Sequence, residues 1–109
     1  MTASQTTAAQ ITLDGAQTVR TIDRAHHDLA AVLAAHAAVT VDCVAVTEVD
    51  LSLIQLLLAA RASARRNGKT VALTAPANHA LRTALLQGGF LRDDADGPEA
   101  AFWLHGAPG

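Results

Sequence analysis

Asp50 and Ser52 are the residues whose types and spacing point most directly to chemistry. A carboxylate and a hydroxyl two positions apart at the start of a helix can cap it. They can equally form a phosphoacceptor with an acidic neighbour, or two parts of a hydrolytic set with His79. The hydrolytic option is the weakest. Ser52 stands between Leu51 and Leu53, without the glycines that let a nucleophilic serine sit on a sharp strand-to-helix turn. Asp50 is needed as a cap, and His79 follows Asn78, a helix-starting residue on whose helix a surface histidine is ordinary. The sequence therefore predicts no enzyme and no catalytic residue. No metal site is expected either, because the five histidines lack paired spacing and His26-His27 point to different sides of a helix. Gly88-Gly89 ends a helix rather than opening one, so no phosphate-cradling loop is present and no cofactor is expected.

The elements that must position Asp50 and Ser52 run from Val39 to Leu58. Val39, Val41 and Cys43 alternate with Thr40 and Asp42, and Val44-Ala-Val continues the apolar run, which favours a buried strand over 39–46. Nothing from Leu51 to Asn67 breaks a helix, and Gly68 stops it. At about 100° per residue, Ser52, Gln55, Ala59, Ser63 and Arg66 share one face of that helix. Leu53, Ile54, Leu57 and Leu58 lie opposite, over the sheet. Leu56 falls at the edge of the exposed face and Leu51 at the helix start. With Leu53 beside the hydroxyl in sequence, these leucines are read as an apolar rim able to meet a protein partner or a second copy. The expected partner-binding set is Asp50, Leu51, Ser52, Leu53, Gln55 and Leu56. From the residues alone, Ser52 serves either as part of the cap or as a switch.

Composition narrows the function classes. The 109 residues suit one domain, and half of them are hydrophobic while only two Phe and one Trp are aromatic, so the core must be aliphatic. The formal charge is −2, and the eight Lys and Arg form no long block. Arg61, Arg65, Arg66 and Lys69 gather at a helix C-terminus, where cations offset the dipole, and no nucleic-acid partner is expected. One cysteine allows no internal disulfide, and Cys43 reads as a small buried hydrophobe. The apolar runs are too short and Ala-rich to span a bilayer, and 1–9 shows no basic-then-apolar leader, so a cytoplasmic protein without membrane insertion is expected.

Taken in order, 1–8 reads as a flexible lead, 9–105 as the domain and 106–109 as a tail. Gln10–Asp14 alternates as a short strand, Gly15 turns, and Gln17–Thr21 could pair back as a second strand. Asp23 caps a helix over 24–35. After the central strand and helix come a strand at Thr70–Thr74 and a helix from His79 to Gln87, begun by Pro76 and Asn78. Gly88-Gly89 ends it and Phe90-Leu91 can tuck over the core. An acidic turn over Asp93–Glu99 then leads to a last strand at Ala100–Leu104. The order β-β-α-β-α-β-α-β predicts an α/β fold, a mixed sheet with parallel neighbours and helices mainly on one face.

Asp42–Leu58, with Gly68-Lys-Thr-Val-Ala-Leu-Thr and Leu85-Leu-Gln-Gly-Gly-Phe, resembles a STAS domain, the family of the anti-sigma factor antagonists. The usual pattern there is a strand ending in Asp, a short apolar stretch, then Asp-Ser-Ser-Gly-Leu opening a helix. The resemblance runs from about Gln10 to Leu104 and implies a four- or five-stranded mixed sheet with helices on one side. It matches Asp50 to the motif aspartate and Ser52 to its second serine, the one phosphorylated in the antagonists. Leu51 replaces the first serine and Leu53 the glycine, which adds bulk where a kinase or partner approaches.

The resemblance implies a regulatory module that binds a kinase or anti-sigma factor through the Asp50–Ser52 helix start, with Ser52 as candidate phosphoacceptor. A histidine-kinase or chemotaxis-associated STAS partner is a variant of this reading. The alternative is an accessory STAS subunit of an ABC-type lipid transporter, where the same helix end would dock permanently on an ATPase subunit. A homodimer is a further use of the leucine rim.

Overall fold

The computed structural model describes residues 8–91 and 97–105. Three parallel strands, β1 (Ala8–Gln17), β2 (Ala38–Val49) and β3 (Thr70–Leu73), lie in the order β1-β2-β3. The intervening helices are α1 (Ile22–Ala35) and α2 (Leu51–Arg66), and α3 (His79–Gln87) and α4 (Gly97–His105) follow β3. A direct link between parallel strands needs a long crossover, and here each crossover is a helix. Val39, Val41, Cys43 and Val46 bury one face of β2 against the helices, while Thr40 and Asp42 on the alternate positions remain half-buried. The core is aliphatic apart from Phe102 and Trp103, both fully buried.

Two expected strands are absent among the described residues, so the four- or five-stranded mixed sheet is corrected to three parallel strands. The first correction concerns Gly15. It does not turn the chain back; it continues β1 with φ +60° beside a register shift. Between Ala8↔Ala38 and Gln17↔Val49, β2 carries two more residues than β1, accommodated as two bulges. A strand glycine marking such an irregularity looks like a hairpin turn in sequence. The turn comes later, at Thr18–Thr21, where the Thr21 hydroxyl donates to the Ala16 carbonyl (2.9 Å) and accepts from the Thr18 N–H (3.0 Å). That use of the hydroxyl leaves α1 without a side-chain cap at Thr21, and Asp23 sits inside the first turn rather than at the cap.

The second correction is α4, expected as a strand over Ala100–Leu104. An unbroken Ala-Phe-Trp-Leu run has no period that separates a buried strand from a buried helix. In the fold Phe102 and Trp103 are buried as consecutive residues, and the Trp103 carbonyl accepts from the Ala77 N–H (2.7 Å). Phe102 meets Trp103 edge-on at 4.8 Å between centroids, and the Arg61 guanidinium lies over the Phe102 ring, 5.1 Å from its centroid. Arg61, expected in the basic cluster at the C-terminus of α2, is thus a buried residue packed against α4. Residues 1–7 of the lead expected over 1–8, residues 93–96 of the acidic turn expected over Asp93–Glu99, and the tail at 106–109 lie outside the described residues.

Candidate functional site

The β2–α2 junction is built from the bulged half of β2 upward. Bulges free strand carbonyls from the ladder, and a freed carbonyl needs another donor. Asn78 supplies it: its Nδ2 donates to the carbonyls of Val46 (2.7 Å), Cys43 (3.1 Å) and Val44 (3.2 Å). Its Oδ1 accepts from the Leu81 N–H (3.0 Å), so the same side chain caps α3. Sequence reasoning identified Asn78 as a helix starter and missed this second role, because the bulge is visible only in the paired register.

Asp50 is the N-cap of α2, as expected from its position. One carboxylate oxygen accepts from the Ser52 N–H (2.8 Å) and the other from the Val19 N–H (2.9 Å) in the β1–α1 turn. A single carboxylate therefore ties two loops at the C-terminal end of the sheet. The Val19 N–H is the main cause that holds the Asp50 carboxyl below its usual range. Partial desolvation opposes it, and the Ser52 N–H and hydroxyl add to the lowering. Ser52 is half-buried in the first helical turn.

The leucine rim is smaller than expected. Leu53 is fully buried and Leu56 nearly so, with both side chains in the core and not on a docking surface. The reason is geometric: positions 53 and 57 lie on the buried face of α2, and Leu56, Ala60 and Ala64 line a groove shared with Leu29 and Leu33 of α1. Leu51 is 50 % exposed and Gln55 is exposed, as expected. Two apolar residues that sequence reasoning did not place here join Leu51. Val19, 71 % exposed, projects from the turn whose N–H meets Asp50. Phe90, expected to tuck over the core, stays at the surface and lines with Leu51 a groove of about 400 Å³. Its other walls are Val49, Asp50, Ile54, Ala84, Gln87 and Gly88. The signal that could have found them is the absence of any apolar partner position for Val19 and Phe90 in the helical or strand periods.

His79 stands exposed at the start of α3, and among the described residues it makes no hydrogen bond to Asp50 or Ser52. Cys43 is buried, and burial, with Asp42 as the lesser cause, pushes its thiol up to about 12. Among the described residues no three His, Cys, Asp or Glu side chains gather, and no helix is long and apolar enough to cross a membrane. What the junction offers is a surface: a fixed carboxylate, a half-buried hydroxyl in the first helical turn, and three exposed apolar side chains.

No curated protein and no solved structure matches the chain. A family model described as "Mlab, STAS domain" matches residues 1–89, which takes in all three strands and α1 to α3 and stops short of α4. With the match covering most of its length, the chain belongs to the STAS domain family.

Proposed function

We propose that this protein is a cytoplasmic regulatory binding module of the anti-sigma factor antagonist type, docking a kinase or anti-sigma factor through the start of α2. The observation that carries the reading is the grouping of Val19, Leu51 and Phe90 around the Asp50 cap, with Ser52 in the same turn. Exposed apolar side chains gathered at one edge suit protein docking. Ser52 acts as the switch. A phosphate at a helix N-terminus is tolerated by the fold. Beside Asp50 it adds a second centre of negative charge, and a docked partner would have to desolvate it. A histidine-kinase or chemotaxis protein is a partner of the same class.

The test is affinity capture of the tagged protein from its own cells, beside Ser52→Ala and Ser52→Asp, with mass spectrometry of the partners and of Ser52. A kinase or anti-sigma factor retained by Ser52→Ala and lost with Ser52→Asp is the expected result. Partner recovery that is the same for all three proteins removes the switch.

One observation favours a second reading, an accessory subunit of an ABC-type lipid transporter. Leu51 stands half-exposed where the family motif has a hydroxyl, giving a constant apolar contact that no modification alters. Recovery of transporter ATPase and permease subunits, insensitive to Ser52→Asp and with Ser52 unmodified, would select that reading.

A further inference from the structure

β1 is an edge strand, and its outer side carries no further strand among the described residues. The ladder fixes which backbone groups face that side. The Thr70 and Thr74 N–H groups donate to the Ala37 and Val41 carbonyls, so the odd-numbered residues at this end of β2 turn toward β3 and the even-numbered ones toward β1. Thr40, in register with Gln10, therefore bonds Ala9 and Ile11, and the N–H and C=O groups of Ala8, Gln10 and Thr12 point outward. Further along the strand, the Asp14 and Ala16 carbonyls accept from the Gln17 side-chain amide (2.8 Å) and the Thr21 hydroxyl (2.9 Å). The open stretch is thus Ala8–Thr12, at the opposite end of the sheet from Asp50.

An open row of backbone donors and acceptors is a template for another strand, and edge strands are ordinarily blunted by lysine, proline or a bulge. Ala8–Thr12 has none of these: it is uncharged, it lacks proline, and its pairing with β2 runs without a register shift. Its two faces differ. Gln10 and Thr12 are exposed on one, while Ala9, Ile11 and Leu13 lie on the other, toward the core. Leu13 is buried, yet Ala9 and Ile11 are only half-buried although their register partners Val39 and Val41 are fully buried. The helices therefore cover β2 and leave a rim of β1 open on the helix side. On α1, Ala30, Leu33 and Ala34 face the groove toward α2, which puts Ala31, Ala35 and the half-buried Val32 on the opposite flank, beside that rim. The charges on the same flank, Arg24 and Asp28, lie nearer the helix start and pair with each other at 3.8 Å.

We propose that β1 is a homodimer edge: a second copy adds its own Ala8–Thr12 antiparallel, across a two-fold axis at Gln10, and joins the two sheets into one. The edge itself specifies the occupant. It calls for an uncharged extended strand, apolar opposite Ala9 and Ile11 and polar opposite Gln10, and β1 meets each requirement. A two-fold axis normal to the sheet keeps both sets of helices on one side. Centred on Gln10, it sets Gln10 against Gln10 and Ala8 against Thr12, the one register in which every outward group of the open stretch finds a partner. On the helix side it sets Ile11 against Ala9, covering the open rim. Asp14, the first charge of the strand, falls outside the paired stretch, so no like charges meet. A lone foreign strand would leave the α1 flank bare, whereas a second copy brings a second α1 with its own Val32 and Ala35. The two Asp50 sites then stand at opposite ends of the joined sheet, so the dimer is independent of the docking proposed for the start of α2.

Sedimentation equilibrium of the full chain tests this, beside Gln10→Lys and Gln10→Glu, substitutions at an exposed side chain that should keep the wild-type melting temperature. The wild type should dimerise at about 10–100 μM, the weak class that suits so small an interface. Each variant alone should dimerise about fivefold more weakly, because like charges then face each other at the axis. An equimolar mixture of the two should recover wild-type dimerisation, since lysine meets glutamate only when Gln10 pairs with its own copy. Amide exchange locates the contact: the Gln10 and Thr12 N–H groups should exchange slowly in the concentrated wild type and fast in Gln10→Lys, with Ile11 slow in both. A wild type still monomeric at about 1 mM, dimerisation equal in all three proteins, or a mixture no tighter than its components overturns the proposal. A dimer lost with Leu51→Ser and kept by Gln10→Lys belongs to the leucine rim and also overturns it. So does a monomeric wild type whose captured partner is lost with Gln10→Lys, which assigns the edge to a foreign strand. Ser52→Asp should leave the dimer intact whatever it does to partner recovery, so the dimer and the switch fail separately.

Discussion

Asn78→Asp separates two roles that one side chain holds. Aspartate and asparagine are equivalent helix N-caps, so the bond from the Leu81 N–H to Oδ1 survives the substitution. The Nδ2 donors do not. In their place a carboxylate oxygen faces the carbonyl oxygens of Cys43, Val44 and Val46, the nearest at 2.7 Å. Two donated hydrogens at a net of about 0.5–1.5 kcal/mol each amount to about 1–3 kcal/mol, to which the repulsion adds. Asn78→Ser keeps a good cap without the repulsion and should lose less, whereas Asn78→Ala gives up the cap as well, about 1 kcal/mol more than Asn78→Ser. Urea unfolding followed by the emission of Trp103 measures all four proteins.

The pH dependence sharpens the test. Carbonyl oxygens around the introduced carboxyl disfavour its charged form, so its folded pKa lies above its unfolded one. The penalty is then full at neutral pH and shrinks as the pH falls through the folded pKa, where the protonated acid can donate to a carbonyl. Asn78→Asp as stable as wild type at neutral pH, or a stability gap that widens on acidification, would refute the claim that Asn78 holds the β2 bulges.

Other consequences are accessible to simple assays. Asp50 has a depressed carboxyl pKa, so its contribution to stability is present above the ordinary value of 3.8 and is lost as pH falls through the depressed one. The stability difference between wild type and Asp50→Asn should therefore close on acidification below 3.8, and a gap independent of pH would contradict the Val19 and Ser52 contacts. Cys43, with its thiol pushed up to about 12, should resist thiol reagents in the native protein and react once unfolded; stoichiometric labelling of the folded chain would be the contrary result. Phe102→Ala empties a fully buried site under Arg61 and should cost about 3–5 kcal/mol. A loss below about 1 kcal/mol would mean that α4 is not part of the core.

The sequence by itself determined the elements whose signals are local. The β2–α2 unit, the cap at Asp50, the Asn78 start and glycine stop of α3, and the buried thiol all follow from periodicity, capping chemistry and residue type within a few positions. The family motif was legible for the same reason, since it sits on one strand-to-helix junction. What tertiary structure decided depends on contacts between distant segments. Gly15 serves as a strand residue because β2 pairs beside it with two residues to spare, and the Ala-Phe-Trp-Leu run is helical in the setting of α2 and β3. Arg61 lies inside because Phe102 comes to meet it. The candidate site divides in the same way. Asp50, Leu51 and Ser52 are adjacent in the chain and could be read there, whereas Val19 and Phe90 reach them only through a backbone hydrogen bond and a groove wall that folding creates.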